Sequence, residues 1–506
     1  ATCGGGAGTH NSTAEDRAMM TELAECGQLG QRLQALGSSL DRYLAFEHPD
    51  AMHEPERWRG ALAQQLPATG VGIDAVMDDM IRYLIPNGSA IPNPGCTAFI
   101  TTGATTAGAL ATLAGAVASP QRITLNAFNF LEEHSLEWLR QLFELPAGMK
   151  GLYSSGGSVA NLVALGAARQ QAFEALGIDP ARAGVSRPGR IYASRATHHS
   201  VRRAAAVLGL GREAVVTIAT DAWGRMVPAA LECRIREDCD RSLLPIAVIG
   251  NAGTTSTGAI DPLDAIGAVA HRYGAWFHVD GAYGLPGILD PQVRHLYAGL
   301  EHADSVVVDP HKWMGAPVGI GATFVRDRSL LQRAFTQEAS DYLELSCTQE
   351  TAQHSMDSLG IPYADFGVEL SAPPRGAVVW ALLKEIGVEG LRARICRHNA
   401  MARLVAERAD AHPNLEVLQQ PTLSICCFRY ADGACSDLNA LNARIHRAMV
   451  RRGRNIPSTA VINGRLAIRP CFLGARTTPE HAHALVDEVL ETGAELMKTP
   501  QFEVSA

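Results

Sequence analysis

Two spacings of apolar residues alternate through the middle of the chain. Short apolar runs recur between positions 191 and 325, and between them apolar residues return every three or four positions. Buried strands give the first pattern and amphipathic helices the second. The runs predicted as strands are 191–193, 215–219, 246–249, 277–279, 306–308 and 323–325. Strands that alternate with helices predict an α/β fold with a mostly parallel sheet wrapped by helices.

The flanking regions follow other patterns. Helical spacing predicts helices over 13–36, with Gly37 as its stop, and over 73–84. A connecting helix is predicted over 377–386, with Gly387 and Gly390 at its end. The C-terminal region reads as a small α+β domain with strands at 415–418, 423–428 and 466–468 and a helix over 478–496. The predicted domains are an N-terminal helical segment, a large domain and a small C-terminal domain: 1–105, 106–386 and 387–506.

Composition narrows the class of protein. The 506 residues carry a net charge of -8, which gives no basic surface for nucleic acid. The 11 cysteines are an odd number without C-x-x-C spacing, and Cys426 and Cys427 lie in an apolar run, as reduced thiols do. These features predict a cytoplasmic protein. Neither a signal peptide, nor a membrane-spanning stretch, nor a metal-ligand spacing is apparent.

The candidate chemistry centres on Lys312. This lysine follows a predicted buried strand and the break at Asp309 and Pro310, and Asp280 ends another predicted strand. Ligands of parallel sheets gather at the carboxyl ends of strands, so we expect Asp280 and Lys312 in one crevice. A carboxylate and a lysine that captures a carbonyl are the pair that pyridoxal 5'-phosphate (PLP) requires.

A glycine-rich stretch precedes a helical pattern over 159–176. Free N–H groups at a helix N-terminus favour an anion, so Gly157 and Ser158 are predicted phosphate ligands. The alternative is that Ser158 is an ordinary helix cap.

Five short blocks carry a family resemblance. They are SSGGS (154–158), HHS (198–200), GTT (253–255), HVDGAYG (278–284) and DPHKW (309–313). In this order they resemble the group II PLP-dependent decarboxylases, which include aromatic-L-amino-acid, glutamate and cysteine-sulfinate decarboxylases. The resemblance implies a type I aminotransferase-like fold with a seven-stranded sheet, and PLP as the cofactor.

The resemblance also implies roles for single residues. The implied cofactor-binding residues are Gly157, Ser158, His198, Thr255, Asp280, Ala282, His311 and Lys312. His198 is implied as the ring stacked on the cofactor, whereas His199 is as well explained by a structural role. Thr255 is also explained by a simple turn.

On the substrate side, the resemblance implies contacts from Phe99, Ile100 and Thr101, although Phe99 and Ile100 are equally explained as core residues. Arg469 matches a family arginine that either approaches the substrate or pairs structurally.

An aperiodic segment between 340 and 373 is a candidate lid. The resemblance implies that a tyrosine on such a mobile loop protonates the decarboxylated carbon. Counting back from Arg375, which resembles a family arginine, favours Tyr363, with Tyr342 as the alternative. Lys312, His311, Tyr363, His198 and Asp280 are therefore the predicted catalytic residues.

The predicted reaction is decarboxylation of an L-amino acid, with an aromatic one favoured, to the amine and CO2. A homodimer with the active site at the subunit interface is implied. The alternatives are an acidic or sulfinic substrate, carbon–carbon cleavage, oxidative decarboxylation to an aldehyde, and a non-catalytic protein with the same fold.

Overall fold

The computed structural model of the chain describes residues 29–46, 55–119, 126–336 and 361–498. Contacts within the chain divide it into two units, Ala1–Asn93 and Pro94–Ala506. The predicted boundaries at 105 and 386 remain predictions.

The N-terminal unit is helical over most of its described residues. Its elements are α1 (Leu29–Leu44), α2 (Pro55–Leu62) and α3 (Ile73–Asp79), which continues as a π-helical turn, Met80–Leu84. The helix predicted over 73–84 is confirmed. The predicted stop at Gly37 is wrong, because α1 runs through it. A glycine inside a helix costs only about 1 kcal/mol relative to alanine, and apolar residues return at Leu40 and Leu44. The predicted start at residue 13 lies outside the described residues.

The second unit alternates strands and helices. Its strands are β1 (Cys96–Thr97), β2 (Lys150–Ser154), β3 (Gly189–Ser194), β4 (Val215–Ile218), β5 (Leu244–Asn251), β6 (Trp276–Asp280), β7 (Ser305–Val308), β8 (Gly321–Val325), β9 (Leu415–Gln419), β10 (Cys427–Tyr430), β11 (Ile456–Ile462) and β12 (Arg465–Arg469). Its helices are α4 (Thr106–Ala118), α5 (Ala127–Leu142), α6 (Gly157–Glu174), α7 (Pro180–Ala183), α8 (Ser200–Val207), α9 (Pro228–Asp240), α10 (Leu263–Arg272), α11 (Arg328–Phe335), α12 (Arg375–Asp410), α13 (Leu438–Arg452) and α14 (Pro479–Met497).

The larger sheet has seven strands in the order β2-β8-β7-β6-β5-β3-β4. Strands β3 to β7 pair in parallel, and β8 runs antiparallel to both β7 and β2. The mostly parallel sheet is therefore confirmed, with strands at each of the six predicted runs. The sequence analysis did not predict β2, an edge strand that begins at the exposed Lys150.

Helices cover both faces of this sheet. Helix α6 packs against β5, β6, β7 and β8, while α9 and α10 pack on β5. Strands β6 and β7 are consequently buried along their whole length. Burial on both faces explains the continuous apolar runs, and it leaves the strand ends as the place for polar chemistry.

The smaller sheet has the order β1-β11-β12-β10-β9. The strands predicted over 415–418 and 466–468 are confirmed. The strand predicted over 423–428 is misplaced, because the strand is Cys427–Tyr430. Leu423 and Ile425 are apolar because they pack into the core of the larger sheet, whereas Phe428 belongs to the core of the small domain.

The predicted connecting helix is the first part of α12. Gly387 interrupts its helical geometry with φ 66° and ψ 175°, and the helix resumes to Asp410, so Gly390 is not an end. Across the four described ranges, no helix combines the length and the apolar character needed to span a membrane.

Candidate active site

One cavity lies at the carboxyl ends of the central strands, with a volume of about 270 Å³. This is near the lower end of the volumes of small-molecule sites. Eight of the residues predicted to bind the cofactor line it together: Gly157, Ser158, His198, Thr255, Asp280, Ala282, His311 and Lys312. The parallel strands explain this, since Asp280 ends β6 and Lys312 follows β7.

The turn that carries Lys312 is anchored in the core. Trp313, next in the chain, is fully buried. Its Nε1 donates to Nδ1 of His398 at 3.0 Å, and its ring stacks on Tyr283 with centroids 5.3 Å apart. Burial lowers the pKa of His398 to about 3, so this ring is a neutral acceptor at neutral pH. Gly315, with φ 86°, ends the turn. The backbone of Lys312 is therefore held in a fixed position.

Asp309 lies beside the lysine, and the sequence analysis did not assign it to the site. Its Oδ2 is 2.9 Å from Lys312 Nζ, and the side chain of Asp309 is 1% exposed. A Cβ at Gly157 or Gly321 would fall 2.6 or 2.7 Å from the Asp309 oxygens. Glycine is needed at both positions to admit this buried carboxylate. The position of Asp309 three residues before Lys312 was the available signal.

Asp280 is fixed by two hydrogen bonds. Oδ1 accepts from the N–H of Ala282 at 3.1 Å, and Oδ2 accepts from Nδ2 of Asn161 at 3.1 Å. A carboxylate has about four acceptor positions, so Asp280 retains capacity for a further donor in the cavity. Asn161 lines the cavity too, although no sequence motif singled it out.

His198 contacts Ser200 and its neighbour His199. Its Nδ1 is 2.8 Å from Ser200 Oγ and accepts the Ser200 N–H at 3.3 Å. The His199 ring lies with its centroid 4.0 Å away, tilted by 41°. Burial is the largest cause that lowers the pKa of His198, which favours the neutral ring.

The loop before α6 forms an anion cradle. Gly156 has φ +121°, which L side chains rarely adopt, and its Cβ would lie 3.2 Å from Cε1 of His311. The first N–H groups of a helix have no acceptor within the helix, so those of Gly157 and Ser158 are available to an anion. His311 borders this cradle, and its Nδ1–H donates to the Ile320 carbonyl at 2.7 Å.

A second polar cluster supports the loop that contains Thr255. Asp261 is buried and accepts from the N–H of Met226 at 2.6 Å and from Asn251 Nδ2 at 2.7 Å. Burial raises the pKa of Asp261. Asn251 lines the cavity at the end of β5, so this cluster fixes another strand end.

Arg469 ties this loop to the start of the unit. Its guanidinium donates to the carbonyls of Thr255, of Ser256 at 3.3 Å and of Ala98 at 3.4 Å. It also donates to Ser458 Oγ at 3.2 Å. These bonds favour the structural role over contact with the substrate.

The predicted substrate contacts do not line this cavity. The Phe99 side chain is 61% exposed, and Ile100 packs against the core of the large domain. Thr101 is half-buried and is not among the lining residues. The structure of one chain thus leaves this segment apart from the cofactor-binding residues.

The assignment of Tyr363 as the proton donor does not agree with its position. Tyr363 is 1% exposed, and its hydroxyl donates to Glu133 at 2.7 Å. Glu133 also pairs with Lys150, at the start of β2, whereas Ser155, just beyond the other end of β2, lines the cavity. The two ends of this strand lie about 13 Å apart at the usual rise per residue. Tyr363 is not among the described residues that line the cavity in this conformation. Tyr342 lies outside the described residues.

The donors around the cavity match the parts of PLP. The cradle before α6 is suited to a phosphate, Asp280 to a protonated ring nitrogen, and Lys312 to an aldehyde. The glycines at 156, 157 and 321 keep the space that a Cβ would fill. The residues present thus fit the cofactor.

Comparison with known proteins agrees with this interpretation. Residues 55–431 match the family described as "Pyridoxal-dependent decarboxylase conserved domain". The chain is 33% identical over 353 residues to an aromatic-L-amino-acid decarboxylase of Bacillus atrophaeus, covering 69% of this chain and 70% of that protein. It is 30% identical over 439 residues to an L-2,4-diaminobutyrate decarboxylase of Rhizobium meliloti, covering 85% and 84%. The crystal structure of Oryza sativa TDC with PLP and tryptamine has the same fold, with a TM-score of 0.84 at 24% identity over 97% of this chain and 100% of that one.

Proposed function

Because this chain belongs to the pyridoxal-dependent decarboxylase family, we propose that it removes the α-carboxyl group of an aromatic L-amino acid and releases the amine and CO2. Family membership makes it a PLP-dependent carboxy-lyase that acts on an amino acid. The aromatic side chain and the amine product are the proposed part. The observation that carries the proposal is that Lys312, Asp280 and the first turn of α6 line one cavity.

Different residues of the cavity are proposed to bind different parts of the cofactor. When bound, PLP supplies an aldehyde for covalent attachment and a cationic ring that takes up the electron pair left by departing CO2. We assign the phosphate to the N–H groups of Gly157 and Ser158, the protonated ring nitrogen to Asp280, and the attachment to the amine of Lys312. His198 is the proposed ring against the cofactor face.

Two groups are proposed to handle protons. The amine of Lys312 gives up and regains a proton as it is displaced and returns. His311 donates from Nδ1 to the Ile320 carbonyl, so Nε2 is the ring nitrogen that we propose for proton transfer. We propose Tyr342 as the acid that protonates the substrate carbon, because the hydroxyl of Tyr363 donates to Glu133.

Charge balance supports a neutral side chain in the substrate. No arginine is among the described residues that line the cavity, and Arg469 is engaged by backbone carbonyls. Lys312 is the lysine among the described lining residues, and it is assigned to the cofactor, so an acidic or sulfinic side chain has neither an arginine nor a second lysine there. The second amine of diaminobutyrate needs a carboxylate, but Asp280 is assigned to the ring nitrogen of the cofactor, and Asp309 lies 2.9 Å from the amine of Lys312. An aromatic side chain needs neither charge.

A second copy of the chain is the proposed partner. Helix α4 contains no charged residue, yet Leu110 and Val117 on it are each 61% exposed, as is Phe130 on α5 at 63%. A helix that is apolar on all sides is normally buried. We propose a homodimer that covers α4, with the active site at the subunit interface and with the segment from Phe99 to Thr101 contributing to substrate binding there.

Buried thiols support the predicted cytoplasmic location. Cys426, Cys427 and Cys471 are buried and unpaired with one another. Burial raises the pKa of the Cys427 thiol to about 12, which keeps it protonated and suits a reducing compartment.

An amine-release assay tests the proposed function. Purified protein with PLP should be screened against the protein amino acids, 2,4-diaminobutyrate and cysteine sulfinate, with aldehyde and peroxide measured in parallel. We expect the aromatic amino acids to give the highest kcat/KM and the amine as product. A higher kcat/KM for diaminobutyrate or for an acidic substrate would refute the aromatic preference, and equimolar aldehyde and peroxide would refute the simple decarboxylation.

A further inference from the structure

We propose that Asn161 is a positioning residue whose single side-chain amide fixes both Asp280 and His198. Asn161 lies on α6, one turn after Gly157, and is 1% exposed. Its Nδ2 is 3.1 Å from Asp280 Oδ2 and 3.2 Å from Ser200 Oγ, and its Oδ1 is 2.8 Å from His278 Nε2. The inference rests on the proposed function only for the identity of the cofactor.

The acceptor chemistry of Asp280 decides how the amide is oriented. A carboxylate can only accept, so the NH2 group of Asn161 must face Asp280 and its carbonyl must face His278. His278 Nε2 therefore carries the proton. Its Nδ1 then accepts from the hydroxyl of Ser305 at 2.7 Å, and that hydroxyl accepts from Trp276 Nε1 at 2.7 Å. Burial lowers the pKa of His278 to about 4, which agrees with a neutral ring bearing one proton.

The second N–H of the Asn161 amide orients the hydrogen bonds that lead to His198. It points to Ser200 Oγ, so the Ser200 hydroxyl is free to donate to His198 Nδ1 at 2.8 Å. The backbone N–H of Ser200 also points to this nitrogen, which makes Nδ1 an acceptor. The proton of neutral His198 is thereby placed on Nε2. The amide thus sets the tautomer of His278 directly and, through the Ser200 hydroxyl, reinforces the tautomer of His198 that the Ser200 N–H also favours.

These hydrogen bonds are shielded from water. Ser200 is 1% exposed, and His278 and Ser305 are fully buried, so water cannot replace a lost partner. These hydrogen bonds form a branched network that runs from Trp276 to Asp280 and His198. Each donor in the network has an acceptor, and reversing one hydrogen bond would leave a buried polar group without a partner. Asparagine supplies two donors and an acceptor here, and neither aspartate nor an apolar residue does so.

Asn161→Asp tests this directly, because it keeps the acceptor and the shape but replaces both donors. Affinity for PLP is measured by titration into the cofactor-free protein, together with affinity for an analogue in which the ring nitrogen is replaced by carbon. Asn399→Asp is the matched control, since the Asn399 amide is also fully buried and donates to a carboxylate, Asp290 Oδ2, at 2.8 Å. Neither residue of the control pair lines the cavity.

We expect Asn161→Asp to weaken PLP binding about 10- to 100-fold, the size of effect seen when the outer partner of a metal ligand is lost. Binding of the carbon analogue should weaken clearly less, because the analogue loses only the contribution of His198 and not that of Asp280. Asn399→Asp should lower the unfolding temperature without changing either affinity. Unchanged PLP affinity in Asn161→Asp, or equal losses for PLP and the analogue, would overturn the positioning role.

Ser305→Ala is the second variant if Asn161→Asp does not fold. It removes the hydroxyl that donates to His278 at the far end of the chain, and the same selective loss for PLP is expected with a smaller size. Equal effects on PLP and the analogue would overturn the inference here too. All of these readouts are binding measurements without turnover. Failure of the proposed function, in which PLP binds normally but no amine is released, is therefore a distinct result.

Discussion

The two sides of the candidate active site differ in how the chain holds them. On the cofactor side, Asp280 and His198 have buried partners, and Lys312 lies in a turn anchored by the buried Trp313. On the substrate side, Phe99 is mostly exposed, and the nearby α4 presents an uncovered apolar face. Cofactor chemistry is thus built into one chain. We propose that selection of the substrate depends on surfaces that one chain leaves open.

The largest expected effect comes from the centre of the cofactor side. Lys312→Ala removes the amine that carries and releases the cofactor, and we expect kcat to fall about 10⁴-fold or more, as loss of a covalent catalyst does. Lys384→Ala, an exposed lysine on α12, is the control and should retain full activity. The measurement is amine release with the best substrate from the screen. Residual activity within tenfold of the unchanged protein would contradict the assignment.

Asp280→Asn should have the next largest effect. The amide no longer offers a charge to the ring nitrogen, and we expect a loss of about 2.7–4 kcal/mol of barrier lowering, in line with removal of one preorganised electrostatic partner. Single-turnover rates with saturating PLP separate this loss from weaker binding. Asp290→Asn, a buried carboxylate that does not line the cavity, is the control. Near-normal turnover in Asp280→Asn would show that another group serves the ring nitrogen.

The substrate side is tested by Leu110→Glu. A charge on the apolar face that the proposed dimer would cover should weaken self-association by about 2–4 kcal/mol, the size of an interface hot spot. Light scattering during size-exclusion chromatography over a range of concentrations measures it. Val207→Glu changes a residue that is exposed to a similar degree on α8 and should leave the assembly intact. The proposed dimer would be refuted if Leu110→Glu had the same molar mass as the protein without the substitution, or if the protein without the substitution were a monomer.

Tyr363→Phe distinguishes a structural tyrosine from a catalytic one. It removes a buried hydrogen bond to Glu133, so we expect a stability loss of about 1–3 kcal/mol and an unchanged ratio of amine to aldehyde. Tyr342→Phe should instead raise the share of aldehyde. Thermal unfolding and product analysis check the two expectations. A shift toward aldehyde in Tyr363→Phe alone would restore Tyr363 as the acid.

The last prediction, on stability rather than activity, is the contribution of two buried histidines to the pH dependence of stability. Burial lowers the pKa of His278 to about 4 and of His398 to about 3, below the value of about 6.5 in an unfolded chain. The unfolded state therefore binds more protons below pH 6.5, so stability falls as pH falls from there, by up to about 1.4 kcal/mol per pH unit for each ring. Denaturant unfolding between pH 5 and 7 measures the slope. His398→Gln should reduce the slope of the unfolding free energy against pH by the contribution of one titrating ring. An unchanged slope would contradict this account.

The sequence predicted the cofactor side well because strand ends are readable from local pattern. The apolar runs that end at Asp280 and before Lys312 placed both residues in one cavity, and the resemblance supplied His198 and Thr255. Asn161 was not found, because it lies within the helical pattern of α6 and its partners come from β6 and α8. Only the packing of separate elements reveals such a residue.

The sequence was less informative where apolar character has more than one cause. Leu423 and Ile425 resemble a strand but serve as contacts to the core of the larger sheet. Tyr363 was placed by its distance from Arg375 in an aperiodic segment, where no periodic pattern fixes a position. Its burial beside Glu133 is a tertiary property that counting along the chain does not reveal.

The most direct test of the central claim is reductive labelling of the purified protein. Borohydride treatment after incubation with PLP, followed by peptide mapping, should leave a pyridoxyl group on the peptide that contains Lys312 and on no other. The other lysines, Lys150, Lys384 and Lys498, serve as internal controls. A pyridoxyl group on one of these lysines, with Lys312 unmodified, would contradict the account.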